Sequence, residues 1–177
     1  MQDTLMPHKL SRLNRLELPF CLRCNRIQSR HVLRVFSTVS WLGNGPIWIA
    51  MTGLLLIVHA AEALPAVGHM FLTAAICLVF YKSVKKFTER PRPYDSRPGF
   101  QLTVAPLDRY SFPSGHTLHA VAFTLVLSAH DPWLFGLALP FTLLVAMSRV
   151  VLGLHYPSDV VAGAVFGGLI AYGVLQI

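Results

Sequence analysis

Five stretches of this chain contain no Asp, Glu, Lys or Arg: residues 35–61, 63–81, 110–130, 132–148 and 160–177. Crossing the hydrocarbon core of a bilayer takes about 20 apolar residues of helix, with about 17 as the lower limit. Each stretch reaches that limit. Buried helices of a soluble protein would not repeat such runs five times in so short a chain. Only 13% of the 177 residues are charged, roughly half the share usual in soluble domains. The pattern predicts an all-α, polytopic membrane helical bundle of about five transmembrane helices. Trp41, Tyr81, Tyr110, Trp133 and Tyr156 stand near the ends of these runs, where aromatic side chains mark the membrane–water boundary.

The apolar content excludes a disordered chain, and three Cys exclude a disulfide framework. A nucleic-acid binder is excluded despite the net charge of +7, because the basic residues sit between long apolar runs. Residues 1–34 carry seven basic residues and no apolar run of signal-peptide type. Val32, Val35, Phe36 and Val39 recur at helical spacing. They predict either an amphipathic helix lying in the interface or the first turns of a longer first span. The chain divides into a basic N-terminal arm with its interfacial helix over residues 1–40 and a membrane domain over residues 41–177.

With five spans, the N-terminus, the long connection from Lys82 to Pro113 and the turn at 149–158 share one side. All 15 basic residues fall on that side: seven in residues 1–34, seven in residues 82–109, and Arg149. The opposite connections carry only Glu62 and Asp131.

Three polar clusters lie on the basic side. Lys85 is followed after six residues by Arg92-Pro93. Pro113-Ser114-Gly115-His116 stands at a helix start. Ser148-Arg149 is followed after five residues by His155 and after three more by Asp159. Ionisable groups at the ends of membrane spans are functional candidates by default. Three cations suit a group carrying two or three negative charges, such as phosphate. Ser114 and Gly115 offer a hydroxyl and backbone N–H groups where a helix dipole favours an anion. Two His allow one nucleophile and one proton donor. Asp159 is four residues beyond His155, close enough to fix its tautomer.

In order and spacing these clusters resemble the three signatures of the type 2 phosphatidic acid phosphatase superfamily. The resemblance implies that His155 attacks phosphorus and forms a phosphohistidine. It implies that Asp159 holds His155, and that His116 protonates the leaving oxygen and then activates water. Lys85, Arg92, Ser114, Gly115 and Arg149 would hold the phosphoryl oxygens. The expected activity is an integral membrane phosphatase acting on an anionic lipid phosphate: phosphatidate, phosphatidylglycerol phosphate or undecaprenyl diphosphate. The alternatives are a phosphotransferase sharing the intermediate, or a non-catalytic lipid-phosphate-binding protein. No cofactor is expected, and no metal, since no Asp/Glu cluster suits Mg²⁺.

The expected location is a bacterial inner membrane, with the site on the N-terminal side. The positive-inside rule places that side in the cytoplasm, which favours phosphatidate or phosphatidylglycerol phosphate. An outward site would favour undecaprenyl diphosphate. Cys21 and Cys24 have the spacing of half a zinc site and no second pair. His119, one turn after His116, reads as a helix-face residue. Tyr94 and Asp95 are placed at the pocket mouth, and Gly163, Gly167 and Gly168 at a close helix contact.

Overall fold

A computed structural model describes residues 10–27 and 29–177. Residues 1–9 of the expected N-terminal arm, with Lys9 among them, lie outside the described residues. The elements in chain order are α1 (Ser11–Asn25), α2 (Arg30–Leu42), α3 (Pro46–His59), a 3₁₀ turn (Ala60–Ala63), α4 (Leu64–Thr88), the short α5 (Pro93–Ser96), α6 (Gly115–His130), α7 (Trp133–Val151) and α8 (Pro157–Val174).

Local chemistry explains where several helices begin and end. The first charge-free stretch does not form one span. Gly43-Asn44-Gly45 interrupts it, with Gly45 at φ 146, and α2 and α3 are separate helices. Residues 30–39 therefore belong to their own helix rather than to the start of a longer span. The last turn of α2 does not lie free in the interface, for Val39 and Ser40 are buried and the helix packs on α7. Pro46, Pro65 and Pro157 sit in the first turns of α3, α4 and α8, where a missing N–H costs nothing.

The α6 helix runs through the middle, packed on α8, α7 and α4. The side chains of Leu118, Ala120, Ala122, Val126 and Leu127 are fully buried. Thr124 and Thr142 tie α6 to α7 by a 2.7 Å hydroxyl–hydroxyl bond. Along the α6–α8 seam the backbones touch. A Cβ on Gly163 would lie 2.6 Å from the Ser114 carbonyl oxygen, and one on Gly167 would lie 2.4 Å from that of Leu118. Gly168 is not part of this seam; its Cβ would meet only Leu125, at 3.9 Å.

The exterior is apolar. Ile49, Ile57, Phe71, Val79, Leu143, Val161 and Leu169 are all exposed. So many large apolar side chains on the outside suit lipid, not water. Among the described residues, three helical stretches are by length and composition long and apolar enough to cross a membrane: Pro46–Ser96, Trp133–Val151 and Pro157–Val174. The 14-residue α3 is part of the first stretch, and the 16-residue α6 falls short. The central α6 faces protein on most sides, so its length is set by its neighbours.

The two ends of the bundle are distinct. At one end His59 of α3 meets Asp131 at 3.1 Å, and His69 of α4 meets His130 of α6 at 3.0 Å. At the other, α1 bonds to the start of α8 through Glu17 and Ser158. Of the boundary aromatics, Trp41 and Trp133 are exposed, but Tyr156 is fully buried. Its ring lies under the Arg90 guanidinium, 4.2 Å from centroid to carbon.

The seam yields a direct test. Gly167→Ala forces α6 and α8 apart and should lower the unfolding midpoint in detergent, by about 1–3 kcal/mol. Gly168→Ala, one residue on, should change stability by less than about 0.5 kcal/mol. Equal effects would mean that the backbones are not in contact at Gly167.

Candidate active site

Each polar cluster of the sequence sits at the same end of the bundle because a helix terminates there. Lys85 lies in the last turn of α4, Arg92 just before α5, and His116 in the first turn of α6. Arg149 lies in the last turn of α7, and His155 precedes α8. The α7–α8 turn is tight. The N–H groups of Leu154 and His155 both donate to the Arg149 carbonyl, at 3.0 and 3.1 Å. Gly153 turns the chain at φ +70, and a Cβ there would come within 2.9 Å of Phe100. Both the left-handed backbone and the close approach require glycine.

Lys85, Arg92, Asp108, Gly115, His116, Arg149 and His155 line one end of a cavity of about 670 Å³. The other end is apolar, lined by Trp48, Leu56, Met70, Phe71, Ala74 and Leu78 of α3 and α4. The side chain of His155 is almost fully enclosed. Its Nε2 lies 3.3 Å from an Arg92 guanidinium nitrogen, and its Nδ1 faces an Asp159 carboxylate oxygen at 3.5 Å. Burial first, and then the charges of Arg92, Lys85 and Arg149, hold the imidazole well below its ordinary pKa. It is therefore neutral at pH 7, with a ring nitrogen lone pair free to attack.

The cations are held in place by fixed acceptors. Arg92 donates to the carbonyl oxygen of Leu154 at 2.7 Å and to that of Asp108 at 3.1 Å. Lys85 donates to the Tyr110 carbonyl at 2.8 Å. Arg149 donates to the hydroxyls of Ser148, at 3.2 Å, and of Ser40 on α2. The cavity therefore has three oriented cations and a neutral imidazole backed by a carboxylate. A second imidazole, His116, lies on the same wall. Such a set can bind a phosphoryl group and transfer it.

Two of the sequence candidates lie outside the cavity lining. Asp159 lies behind His155. Ser114 is fully buried; its hydroxyl meets that of Thr117 at 3.0 Å, and its N–H donates to the Asp159 carbonyl at 3.0 Å. Ser114 thus joins α6 to α8, and its hydroxyl does not reach the cavity. His119 does line the cavity, with Nδ1 held 2.8 Å from the Gly115 carbonyl, while Tyr94 and Asp95 do not. Among the described residues no three His, Cys, Asp or Glu are placed to hold a metal ion. Cys21 is buried and Cys24 half-buried, both as free thiols.

Asp108 is a site residue that motif spacing does not reveal. Its Oδ1 accepts from Lys85 and from Arg92, at 2.7 Å each. Burial raises its pKa, but Lys85 and Arg92 outweigh burial and hold the carboxyl below its usual range. The only hint in the sequence is an acid beside Arg109 in a basic connection.

The PAP2 superfamily matches residues 63–177. The undecaprenyl-diphosphatase of Sulfolobus acidocaldarius is 33% identical over 165 residues, covering 92% of this chain and 77% of that protein. The decaprenylphosphoryl-5-phosphoribose phosphatase of Mycobacterium tuberculosis is 33% identical over 111 residues, covering 62% of this chain and 57% of that protein. The crystal structure of Aquifex aeolicus LpxE superimposes with a TM-score of 0.74 at 25% identity, covering 92% of this chain and 96% of that one.

Asp108 competes with any anion for Lys85 and Arg92. Asp108→Asn should tighten binding of orthovanadate or orthophosphate by about 5-fold or more, the order of one screened charge contact. Inhibition constants measure it. Weaker binding would mean that the carboxylate serves instead to hold the two cations in register.

Proposed function

This chain belongs to the PAP2 superfamily of membrane lipid phosphate phosphatases, and on that premise we propose that it hydrolyses a polyprenyl phosphate or diphosphate through a phosphohistidine on His155. It is an integral membrane protein, and its relatives are named phosphatases. The observation that carries the reading is the cavity itself. Three cations and His155 stand at one end, and an apolar trough between α3 and α4 continues from them. A lipid phosphate has that same division into a compact anion and a long apolar chain.

In this reading Lys85, Arg92 and Arg149 bind the phosphoryl oxygens, with the start of α6 at Gly115 beside them. His155 Nε2 attacks phosphorus, and Nδ1 keeps its proton directed at Asp159. The bond from phosphorus to the leaving oxygen breaks. His116, which enters this step as the imidazolium with the phosphoryl group's negative charge beside it, delivers its proton to that oxygen and becomes neutral. In the second half His116 takes a proton from water, the resulting hydroxide attacks the phosphohistidine, and orthophosphate leaves. Phosphoryl transfer is largely positioning and charge stabilisation, and here the cationic side chains supply what a metal supplies elsewhere. No metal is required in this scheme.

The names of the relatives favour a polyprenyl chain, since two of them act on undecaprenyl or decaprenyl lipids. The charge distribution favours the cytoplasmic leaflet. Arg90, Arg92, Arg149 and Lys85 are buried within the bundle, so they say little about orientation. The other basic residues still lie in residues 1–34 and in the long connection, against none on the opposite side. Orientation alone pairs a cytoplasmic site with phosphatidate or phosphatidylglycerol phosphate. The relatives' names outweigh that pairing here, and the substrate is a polyprenyl phosphate or diphosphate presented in the cytoplasmic leaflet.

Two measurements test this. His155→Ala should fold and enter the membrane, yet lose more than 100-fold in kcat, about 3 kcal/mol of barrier. Wild-type turnover of a polyprenyl diphosphate should survive excess chelator and be inhibited by vanadate. Loss in chelator restored by Mg²⁺ would overturn the cation scheme. For orientation, Cys24 is the accessible reporter, since Cys21 and Cys77 are buried. In intact cells a membrane-impermeant thiol reagent should label Cys24 only after permeabilisation. Labelling beforehand would place the site outside.

A further inference from the structure

Arg90 takes no part in the scheme above, yet it is the most completely enclosed cation among the described residues, at 0% exposure. Its Nε donates to the Asn14 side-chain oxygen at 2.8 Å. One terminal nitrogen donates to the Ser158 hydroxyl at 2.8 Å and to Asp159 Oδ1 at 2.5 Å. The other donates to Glu17 at 2.8 Å. Glu17 then returns to α8. Its Oε1 accepts the Ser158 N–H at 2.8 Å, and its Oε2 accepts the Ser158 hydroxyl at 2.7 Å. One cation therefore sits between two carboxylates, on the far side of Asp159 from His155, and one of those carboxylates comes from the N-terminal helix.

The arrangement bears on the reaction through Asp159. Its two oxygens divide the work. Oδ1 is anchored by Arg90, while Oδ2 accepts the Tyr156 N–H at 2.8 Å and faces His155 Nδ1. The carboxylate therefore cannot rotate without breaking both anchors. Glu17 shares the charge of Arg90, so Arg90 fixes Asp159 without fully neutralising it. A buried guanidinium with a single carboxylate partner would draw that partner's charge away from the imidazole.

We propose that Glu17 and Arg90 are positioning residues of the phosphatase, and that α1 is an integral part of its active site. Glu17 acts through Arg90 and Asp159 to keep His155 aimed and basic. The proposal rests on the assignment of His155 as nucleophile.

The test uses the full-length protein, purified in detergent, as Glu17→Gln, Arg90→Lys and Arg90→Ala. The amide of Gln still accepts from Ser158, so mainly a charge is removed. With less negative charge behind it, the imidazolium of His155 becomes harder to form. The acid limb of kcat/KM should therefore move to lower pH, and a less basic nucleophile should lower kcat. The other groups facing His155 are Lys85, Arg92, Asp108, His116 and Arg149. Those around Asp159 are Tyr156, Ser111 and Cys21. None of these changes in the variant. The kcat of Glu17→Gln should fall about 10- to 100-fold, as when the partner orienting a functional histidine is lost. KM should stay within about 2-fold, since no phosphate contact is touched. Arg90→Lys should recover much of what Arg90→Ala loses.

A lowered unfolding midpoint with wild-type kcat per folded molecule and an unmoved acid limb would make α1 a structural clamp only and overturn the proposal. If Glu17→Gln does not fold, the test is the kcat per folded molecule of Arg90→Lys against Arg90→Ala: recovery by Lys supports the proposal, and equal kcat in the two variants overturns it. Phosphoenzyme trapping with ³²P-labelled substrate separates the two assignments. A label that survives in His155→Ala would sink the nucleophile assignment itself. A label lost in His155→Ala, beside an unchanged Glu17→Gln, would sink this inference alone.

Discussion

Gly163 and Gly167 let α8 lie with its backbone against that of α6, and that seam sets the distance between the two halves of the candidate site. His116 belongs to the first turn of α6, while Asp159 belongs to the first turn of α8 and His155 to the tight turn just before it. The Ser114 N–H closes on the Asp159 carbonyl at 3.0 Å. Any side chain at Gly163 or Gly167 would push Cβ into a carbonyl oxygen of α6. The two imidazoles would then no longer face one cavity. Lipid offers no hydrophobic drive between helices, so close backbone packing of this kind is one of the forces available to hold them.

The second constraint is electrostatic. Among the described residues, four guanidinium or ammonium groups are buried at one end of an apolar bundle. Each costs desolvation unless fixed acceptors surround it. The acceptors come from far along the chain: Asp108 for Lys85 and Arg92, Ser40 for Arg149, and Glu17, Asn14 and Asp159 for Arg90. This explains the folding back of the connection between α5 and α6. Residues 108–110 lie against the cations because the cations need carbonyl and carboxylate oxygens.

The N-terminal segment gains a physical account from the same contacts. Its basic residues read as an arm attracted to lipid headgroups. In the structure α1 also contributes Asn14 and Glu17 to Arg90, and Asn25 to Gln101 and the Val151 carbonyl. The segment is bonded into the end of the bundle that carries the cavity, and the division at residue 40 does not coincide with a gap in the packing.

Much of this was legible in the sequence. Charge-free runs report helices because each apolar residue independently prefers lipid or core, so the signal accumulates locally. The spacings that link Lys85 to Arg92, and Arg149 to His155 and Asp159, report the cavity because they are set within single turns and helix ends. Even the break at Gly43-Asn44-Gly45 has a local cause, for glycine there frees the backbone from the helix. Only the tertiary structure decided which groups complete the charges. Glu17 and Arg90 are 73 positions apart, Ser40 and Arg149 109. No periodicity connects such pairs; they meet because helices pack. The same packing buried Tyr156 under Arg90, turned the Ser114 hydroxyl away from the cavity and set Asp108 across Lys85 and Arg92. A sequence states what each residue can offer, and packing in three dimensions determines to which partner it is offered.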